Sequence, residues 1–324
     1  TIIMLIMVTS VFLKITAASL TSLVPVSKIP QAQNCIVKRI VVNGVEMFHI
    51  GGIASMSVII ITLLSPFMGL LIYKKKVNSY LMAAIAVVVC LVSILIGMRH
   101  PVSLKQDTWM LALSVYTIFA AGIPVWIILQ PRDFTNVFLL YGGILLLLTG
   151  AVIGGFMGLE PSAPAFNVAV GSHKAGPIIP ILFITVACGA ISGFHSLVAT
   201  GTSSKQLYKE SDARRIGYGG MVLEGILALC VLLAVAYGLD FQHYLDITYP
   251  ATGKANPVLA FALGMGGLLN KTLGISLVYA TVFGILMVEG FVATTLDTAV
   301  RLNRYLFEEL WQMVLGKRTP GFMR

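Results

Sequence analysis

Runs of about 20 apolar residues, the length a helix needs to cross the hydrocarbon of a bilayer, recur along the whole sequence and constrain its fold more than any other feature. On that ruler the sequence predicts about eight spans, near 1–23, 53–73, 79–98, 108–130, 134–156, 178–200, 217–238 and 273–299. Only 11% of residues are charged against 57% hydrophobic, too little polar surface to cover a globule in water. The expected fold class is all-α, a polytopic transmembrane helix bundle in which each helix satisfies its own backbone N–H and C=O groups.

A net charge of +9 is compatible with nucleic-acid binding, but the basic residues fall between apolar runs rather than on one helix face. Anionic lipid is the partner this placement predicts, and nucleic acid is not. Lys and Arg are denser on the side that holds Lys74, Lys75, Lys76, Arg132, Lys205, Lys209, Arg214, Arg215 and Arg301. That bias places this side, and both chain ends, in the cytoplasm. Cys35, Cys90, Cys188 and Cys230 are far apart with no C-x-x-C pair, so neither a disulfide framework nor a metal site is expected. The first apolar run opens without Met or a basic stretch, which predicts a single transmembrane domain over 1–324 that is a fragment of a longer chain.

Two shorter segments stand out. Residues 257–269 are apolar and Gly-rich but too short to span, so they predict an interfacial helix or a re-entrant segment packed against protein. Residues 302–315 carry apolar residues at helical spacing around Arg304, Glu308 and Glu309, which predicts an amphipathic helix lying along the inner interface. The Asn270-Lys271-Thr272 sequon is read as chance. No Walker loop, dinucleotide fingerprint, His-Glu-x-x-His or hydrolase elbow is present, so the expectation is no cofactor and no enzyme.

Polar residues inside the apolar runs are the candidate chemistry. From Ala187 to Lys205, glycines and hydroxyls interrupt a span: Gly189, Ser192, Gly193, His195, Ser196, Thr200, Gly201, Thr202, Ser203 and Ser204. Such a segment either unwinds to bind ions and substrate or packs closely through a Gly189-x-x-x-Gly193 face. Within it, His195 is a proton relay or a structural histidine bonded to a carbonyl. Glu224 lies about two turns into its span behind Gly217-Tyr218-Gly219-Gly220. Glu289, Asp297 and Arg301 follow the i, i+4 row of the last span, a stripe that must point into the bundle. A carboxyl at that depth costs roughly 2.5 to 3.5 kcal/mol, and such a group can hold a proton near neutral pH and release it when access changes. For Asp297 and Arg301 an interfacial ion pair is the plainer reading. Gln130-Pro131-Arg132-Asp133 reads as a short inner turn, with Pro131 ending one helix and Asp133 capping the next. Arg132 is there a potential bidentate donor to an anion.

Several of these stretches resemble the carbon-starvation protein A family of bacterial inner-membrane transporters. They are Trp109 to Phe134 with Pro124-Val125-Trp126 and Pro131-Arg132-Asp133, Phe183 to His195 with Gly201-Thr202, Ile216 to Met221 with Glu224, and Glu289 through Thr295, Asp297 and Arg301. The resemblance covers roughly 105–305. It implies proton-driven uptake of peptides or small carboxylates such as pyruvate, in a fold related to the amino acid-polyamine-organocation transporters with their inverted repeats. Ser203-Ser204 stands where the family has Thr-Pro, and a His- and Gly-rich helix found earlier in the family is absent. On this reading Gly193, His195, Gly201, Thr202 and Glu224 contact substrate or proton, and Glu289, Asp297 and Arg301 couple or gate. A membrane solute sensor that signals through residues 302–324 is the alternative.

Overall fold

The computed structural model describes residues 2–26, 39–42, 45–75, 77–250 and 255–315. Cys35, Lys76, Lys254 and the basic tail beyond 315 lie outside the described residues. The helices in chain order are α1 (Ile2–Leu20), α2 (Ile50–Gly69), α3 (Ser79–Arg99), α4 (Gln106–Gly122), α5 (Leu129–Phe156), α6 (Val168–Ala175), α7 (Phe183–Ile191), α8 (Gly193–Val198), α9 (Asp212–Gly238), α10 (Phe241–Thr248), α11 (Pro257–Leu273) and α12 (Leu277–Leu315). Between α1 and α2 lie three short strands, β1 (Val24–Pro25), β2 (Arg39–Val42) and β3 (Val45–Phe48), in the antiparallel order β1-β3-β2. Phe48 pairs with both Val24 and Arg39, and its fully buried ring anchors this sheet on the end of the bundle. The chain is a helical membrane bundle with a small sheet at one end.

Six of these helices are long and apolar enough to cross a membrane, and α6 with the helix after it makes a seventh if that pair, bent by 66°, counts as one crossing. Two of the eight expected spans therefore do not form as single long helices. The predicted span 108–130 stops at Gly122 because Pro124 follows: Ile123 is forced extended (φ −93°, ψ 146°), as residues before proline are. Pro131 does not end a helix, contrary to the sequence reading; it sits in the first turn of α5, where backbone N–H groups have no intrahelical acceptor to lose. The Gln130 to Asp133 stretch is thus the start of α5 and not a turn between helices.

The predicted span 178–200 breaks at Ser192, whose extended backbone (φ −61°, ψ 128°) separates α7 from α8. A π-helical turn over Ala199–Ser203 follows. Hydroxyls cover the carbonyls there, with Thr200 donating to Ser196 O at 3.0 Å and Ser204 to Thr200 O at 2.8 Å. Nothing lies within 4 Å of a side chain built at Gly189, and only Met4 Sδ approaches one at Gly193. Small-residue packing therefore does not explain this pair among the described residues.

Residues 257–273 form α11, capped by the Asn256 side chain, with Pro257 where proline suits a helix start and left-handed Gly274 (φ 67°) at its end. α11 packs between α5, α9 and α12, and most of its side chains are buried, so of the two readings it is the segment packed against protein. Its sequon is tied into that end: Asn270 donates to Ile275 O and Thr272 to Leu268 O. Residues 302–315 are helical and continue α12 without a break. Of the six long helices α12 is the most enclosed, with 72% of its apolar window buried against 11% for α9.

α9 crosses α11 backbone to backbone. A methyl at Gly238 would meet the carbonyl of Gly264, and one at Gly267 the carbonyl of Gly238. Gly238→Ala is expected to destabilise the bundle by about 1–3 kcal/mol, the usual cost of overpacking, read as a lowered melting temperature in detergent. Where the sheet meets α2, burial holds the His49 imidazole below its usual 6.5. The unfolded chain therefore binds the extra proton first, and stability is present above about pH 6.5 and falls as pH drops below it. Thermal melts between pH 7.5 and 5 should show this slope, and His49→Gln should flatten it.

Candidate functional site

α12 carries its charged stripe into the interior. Glu289 is 0% exposed, Asp297 1% and Arg301 5%, as i, i+4 spacing on the central helix requires. Asp297 does not pair with Arg301, however. Its partner is Arg132 in the first turn of α5, whose Nη2 lies 2.7 Å from Asp297 Oδ2, both side chains being almost wholly buried.

The start of α5 at Leu129, earlier than the sequence suggested, is what turns Arg132 inward. Arg132 Nη1 donates to the Tyr116 hydroxyl of α4 at 2.8 Å, and that hydroxyl donates to Asp297 Oδ2 at 3.1 Å. Arg132 Nη2 also donates to Thr294 Oγ1 at 3.2 Å, and Thr294 donates to Asp133 Oδ1 at 2.7 Å. Three helices are thus tied by one network. The Arg301 guanidinium goes to the end of α4, donating to Ala120 O at 2.9 Å and Ile123 O at 3.2 Å, while Arg304 Nη1 donates to Ala121 O. Those carbonyls have no helical partner once Pro124 stops α4, so cations satisfy them.

Glu289 stands two turns from Asp297 on the same row, and neither of its carboxyl oxygens has a hydrogen-bond partner among the described residues. Asp297 Oδ1 and the Nε atoms of Arg132 and Arg301 are likewise unpartnered. Native interiors tolerate few such groups, and their concentration on one column marks it as the polar core of the bundle.

Beside this network lies a cavity of about 120 Å³. Asp133, Asn136, Gly290 and Thr294 form its polar end, and Asn136 Nδ2 donates to Gly290 O at 3.2 Å.

The remaining predicted residues lie elsewhere. His195, Gly193 and Glu224 are exposed on α8 and α9, while Gly201 and Thr202 are half-buried in the π turn. A side chain on Gly201 would strike Leu302 of α12, and Thr202 Oγ1 is buried without a partner among the described residues. Phe194 anchors α8 in a cluster with Leu5, Ala299 and Leu302, and Leu197 and Val198 pack against it. The structure therefore puts Asp297 in the Arg132–Tyr116–Thr294 network, Arg301 on the carbonyls of α4 and Glu289 on the same column of α12, and it leaves His195 and Glu224 on the outer side of the described residues. Sequence reasoning treated Arg132 and Asp133 as a turn and passed over Tyr116, Asn136 and Thr294. An Arg and an Asp flanked by apolar runs were the available signal for the first two; Tyr116 and Thr294 carry none in a chain rich in both.

Removing one partner of a buried ion pair typically costs about 3–5 kcal/mol, because the other charge is left bare. Arg132→Met should therefore destabilise the protein by that order, and Arg132→Met with Asp297→Leu by less than the single change. Detergent melts of both variants measure the difference.

The profile of the family described as "Carbon starvation protein CstA" matches residues 1–255 and 248–321. The chain is 28% identical over 278 residues to the "Peptide transporter CstA" of Bacillus subtilis (strain 168), covering 74% of the chain and 46% of that protein. It is 31% identical over 264 residues to the "Peptide transporter CstA" of Escherichia coli (strain K12), covering 68% of the chain and 37% of that protein. With the "Pyruvate/proton symporter BtsT" of Escherichia coli (strain K12) it shares 39% identity over 149 residues, 46% of the chain and 21% of that protein. The chain thus spans less than half the length of the curated relatives it matches. No solved structure matches it. A bundle of apolar helices around buried charge and a profile that matches nearly every residue lead to one conclusion: the chain belongs to the carbon starvation protein CstA family.

Proposed function

We propose that the protein is a proton-coupled secondary transporter that imports peptides or small carboxylates such as pyruvate during carbon starvation. The observation that carries this reading is the column on α12: a carboxyl at Glu289 with no partner among the described residues and a paired carboxyl at Asp297, inside a membrane bundle. Charge at that depth is costly and accompanies a solute or proton path. The names of the relatives, peptide transporters and a pyruvate/proton symporter, support the same reading.

In this proposal Glu289 takes and releases the coupling proton. Asp297 and Arg301, with Arg132 and Tyr116, form a gate between α4, α5 and α12. Substrate meets the break at Ser192, through Gly193, His195, Gly201, Thr202 and Glu224. Discontinuous helices are where transporters offer backbone groups to their cargo, and hydroxyls already cover the loosened carbonyls here. We count α4 and the broken α7–α8 segment as two further crossings, giving eight, in an inverted-repeat architecture of the amino acid-polyamine-organocation type. The chain supplies one part of a site shared between repeats. The basic connections support a topology with both ends in the cytoplasm, in the bacterial inner membrane, and with the end of α12 along the inner interface.

Uptake of labelled pyruvate and dialanine into proteoliposomes under an imposed proton gradient tests the function. Glu289→Gln is expected to lower uptake at least about tenfold, a loss of about 1.4 kcal/mol, and to flatten its pH dependence. Unchanged uptake in His195→Ala and Glu224→Gln would remove α8 and α9 from the site. Solute binding without flux in either direction would favour a sensor.

A further inference from the structure

Residues 193–206 form one self-contained unit. α8 runs directly into the π-helical turn over Ala199–Ser203 and then into a 3₁₀ turn over Ser204–Gln206. An extended residue stands at each end, Ser192 (φ −61°, ψ 128°) before the unit and Leu207 (φ −69°, ψ 130°) after it. Inside, hydroxyls cover the carbonyls that the change of helix type loosens, Thr200 donating to Ser196 O and Ser204 to Thr200 O. The unit satisfies this backbone by itself, so it can move as a body without baring those groups.

Its contacts with the bundle fall on two helices. Phe194, Leu197 and Val198 join the apolar cluster of Leu5, Ala299 and Leu302. Gly201 lies so close to Leu302 that a Cβ there would be 2.6 Å from Leu302 Cδ2. Lys205 Nζ stands 5.1 Å from the centre of the Tyr305 ring, and Gln130 Nε2 donates to Gln206 Oε1 at 3.3 Å. Gln130 belongs to the first turn of α5, two residues before Arg132, while Leu302 and Tyr305 follow Arg301 on α12. The unit thus rests on the same two helices that the Arg132–Asp297 pair ties together, beside that pair in sequence on both.

Plainer roles explain less. A connector from α8 to α9 has no use for side-chain contacts with α5 and α12. A lipid anchor would turn Lys205 away from the protein, whereas its ammonium lies over Tyr305. A fixed buttress would be held by buried bonds. Here the Gln130–Gln206 bond is exposed, as is Lys205, and each of the two polar contacts is individually weak, as contacts broken and remade in every cycle have to be. On the other side of Ser192, α7 packs chiefly on the turn before it and on α8, so it does not pin the unit to the bundle. Two extended residues at the ends of a rigid element are where hinge motion is absorbed.

We infer that residues 193–206 are a strap: latched by Gln206 on Gln130 and by Lys205 on Tyr305, it closes the solute path at the Arg132 end of the bundle, and unlatched it swings about Ser192 and Leu207 to open that path. This assignment rests on the transport function proposed above and adds its conformational step. It links the broken helix to the charged network through the two helices they share.

The test places Lys205→Cys and Tyr305→Cys together in the full-length protein and joins the thiols with a short bis-methanethiosulfonate. In proteoliposomes, joining should cut uptake of labelled pyruvate or dialanine at least about tenfold, because a held lid blocks turnover, and a reductant should restore it. The same reagent should leave the uptake of either single variant as it was before treatment. Equilibrium binding of the same solute to the joined protein in nanodiscs should persist, an outcome that a merely structural role of these side chains does not produce. Gln206→Ala with Tyr305→Leu, which removes both latches, should speed hydrogen exchange of the amides of 199–206 at least about tenfold while those of α5 keep their rates; this arm decides even where the cysteine pair does not fold. Failure of the thiols to join, full uptake by the joined protein, loss of binding together with uptake, or unchanged exchange in the unlatched variant would each overturn the strap while leaving transport intact. No uptake of either solute by the unaltered protein would instead overturn the function.

Discussion

An arginine and an aspartate 2.7 Å apart, with 2% and 1% exposure, set the terms for the rest of this bundle. Each charge alone would cost several kcal/mol to bury, and only close geometry with further hydrogen bonds recovers that cost. Tyr116 and Thr294 supply those bonds from α4 and α12. The register of α5 against α12 follows, because moving either by one residue would leave a bare charge, and Tyr116 fixes α4 against both.

Around this pair the ends of two helices are set by proline. Pro124 stops α4 and leaves carbonyls that Arg301 and Arg304 cover. Pro131 starts α5 at the place where Arg132 faces inward. Glycine does the corresponding work on the far side of α11, where Gly238, Gly264 and Gly267 allow α9 and α11 to touch backbone to backbone. The polar core is therefore tied across α4, α5 and α12, whereas α8 holds to the bundle through Phe194, Leu197 and Val198.

Much of this was legible without coordinates, for reasons that differ by residue. The helical membrane fold follows from run length, and the inward stripe from Glu289 to Arg301 follows from helical periodicity. The interruption near Ser192 was visible in its glycines and hydroxyls, although which residue carries the break depends on a single ψ angle. The identity of Asp297's partner was not legible: Arg301 and Arg132 are both plausible by chemistry, and the choice depends on where α5 begins. That start was misjudged because proline punctuates a helix at either end, and only the preceding loop decides which. The small sheet escaped because three strands of two to four residues carry little periodicity, although Asn43-Gly44 between Val42 and Val45 is a hairpin signal. The cavity beside Asp133 arises from side chains on two helices far apart in sequence, and no local pattern announces such a meeting.

The unbroken length of α12 has a mechanical consequence. Its 39 residues make a rod of about 58 Å, roughly twice the thickness of a bilayer's hydrocarbon core. Tilting such a rod by about 5° around one end carries the other through about 5 Å, the distance of one helical turn. Leverage of that kind turns a slight rotation near Trp311 into a displacement of about one helical turn at the opposite end.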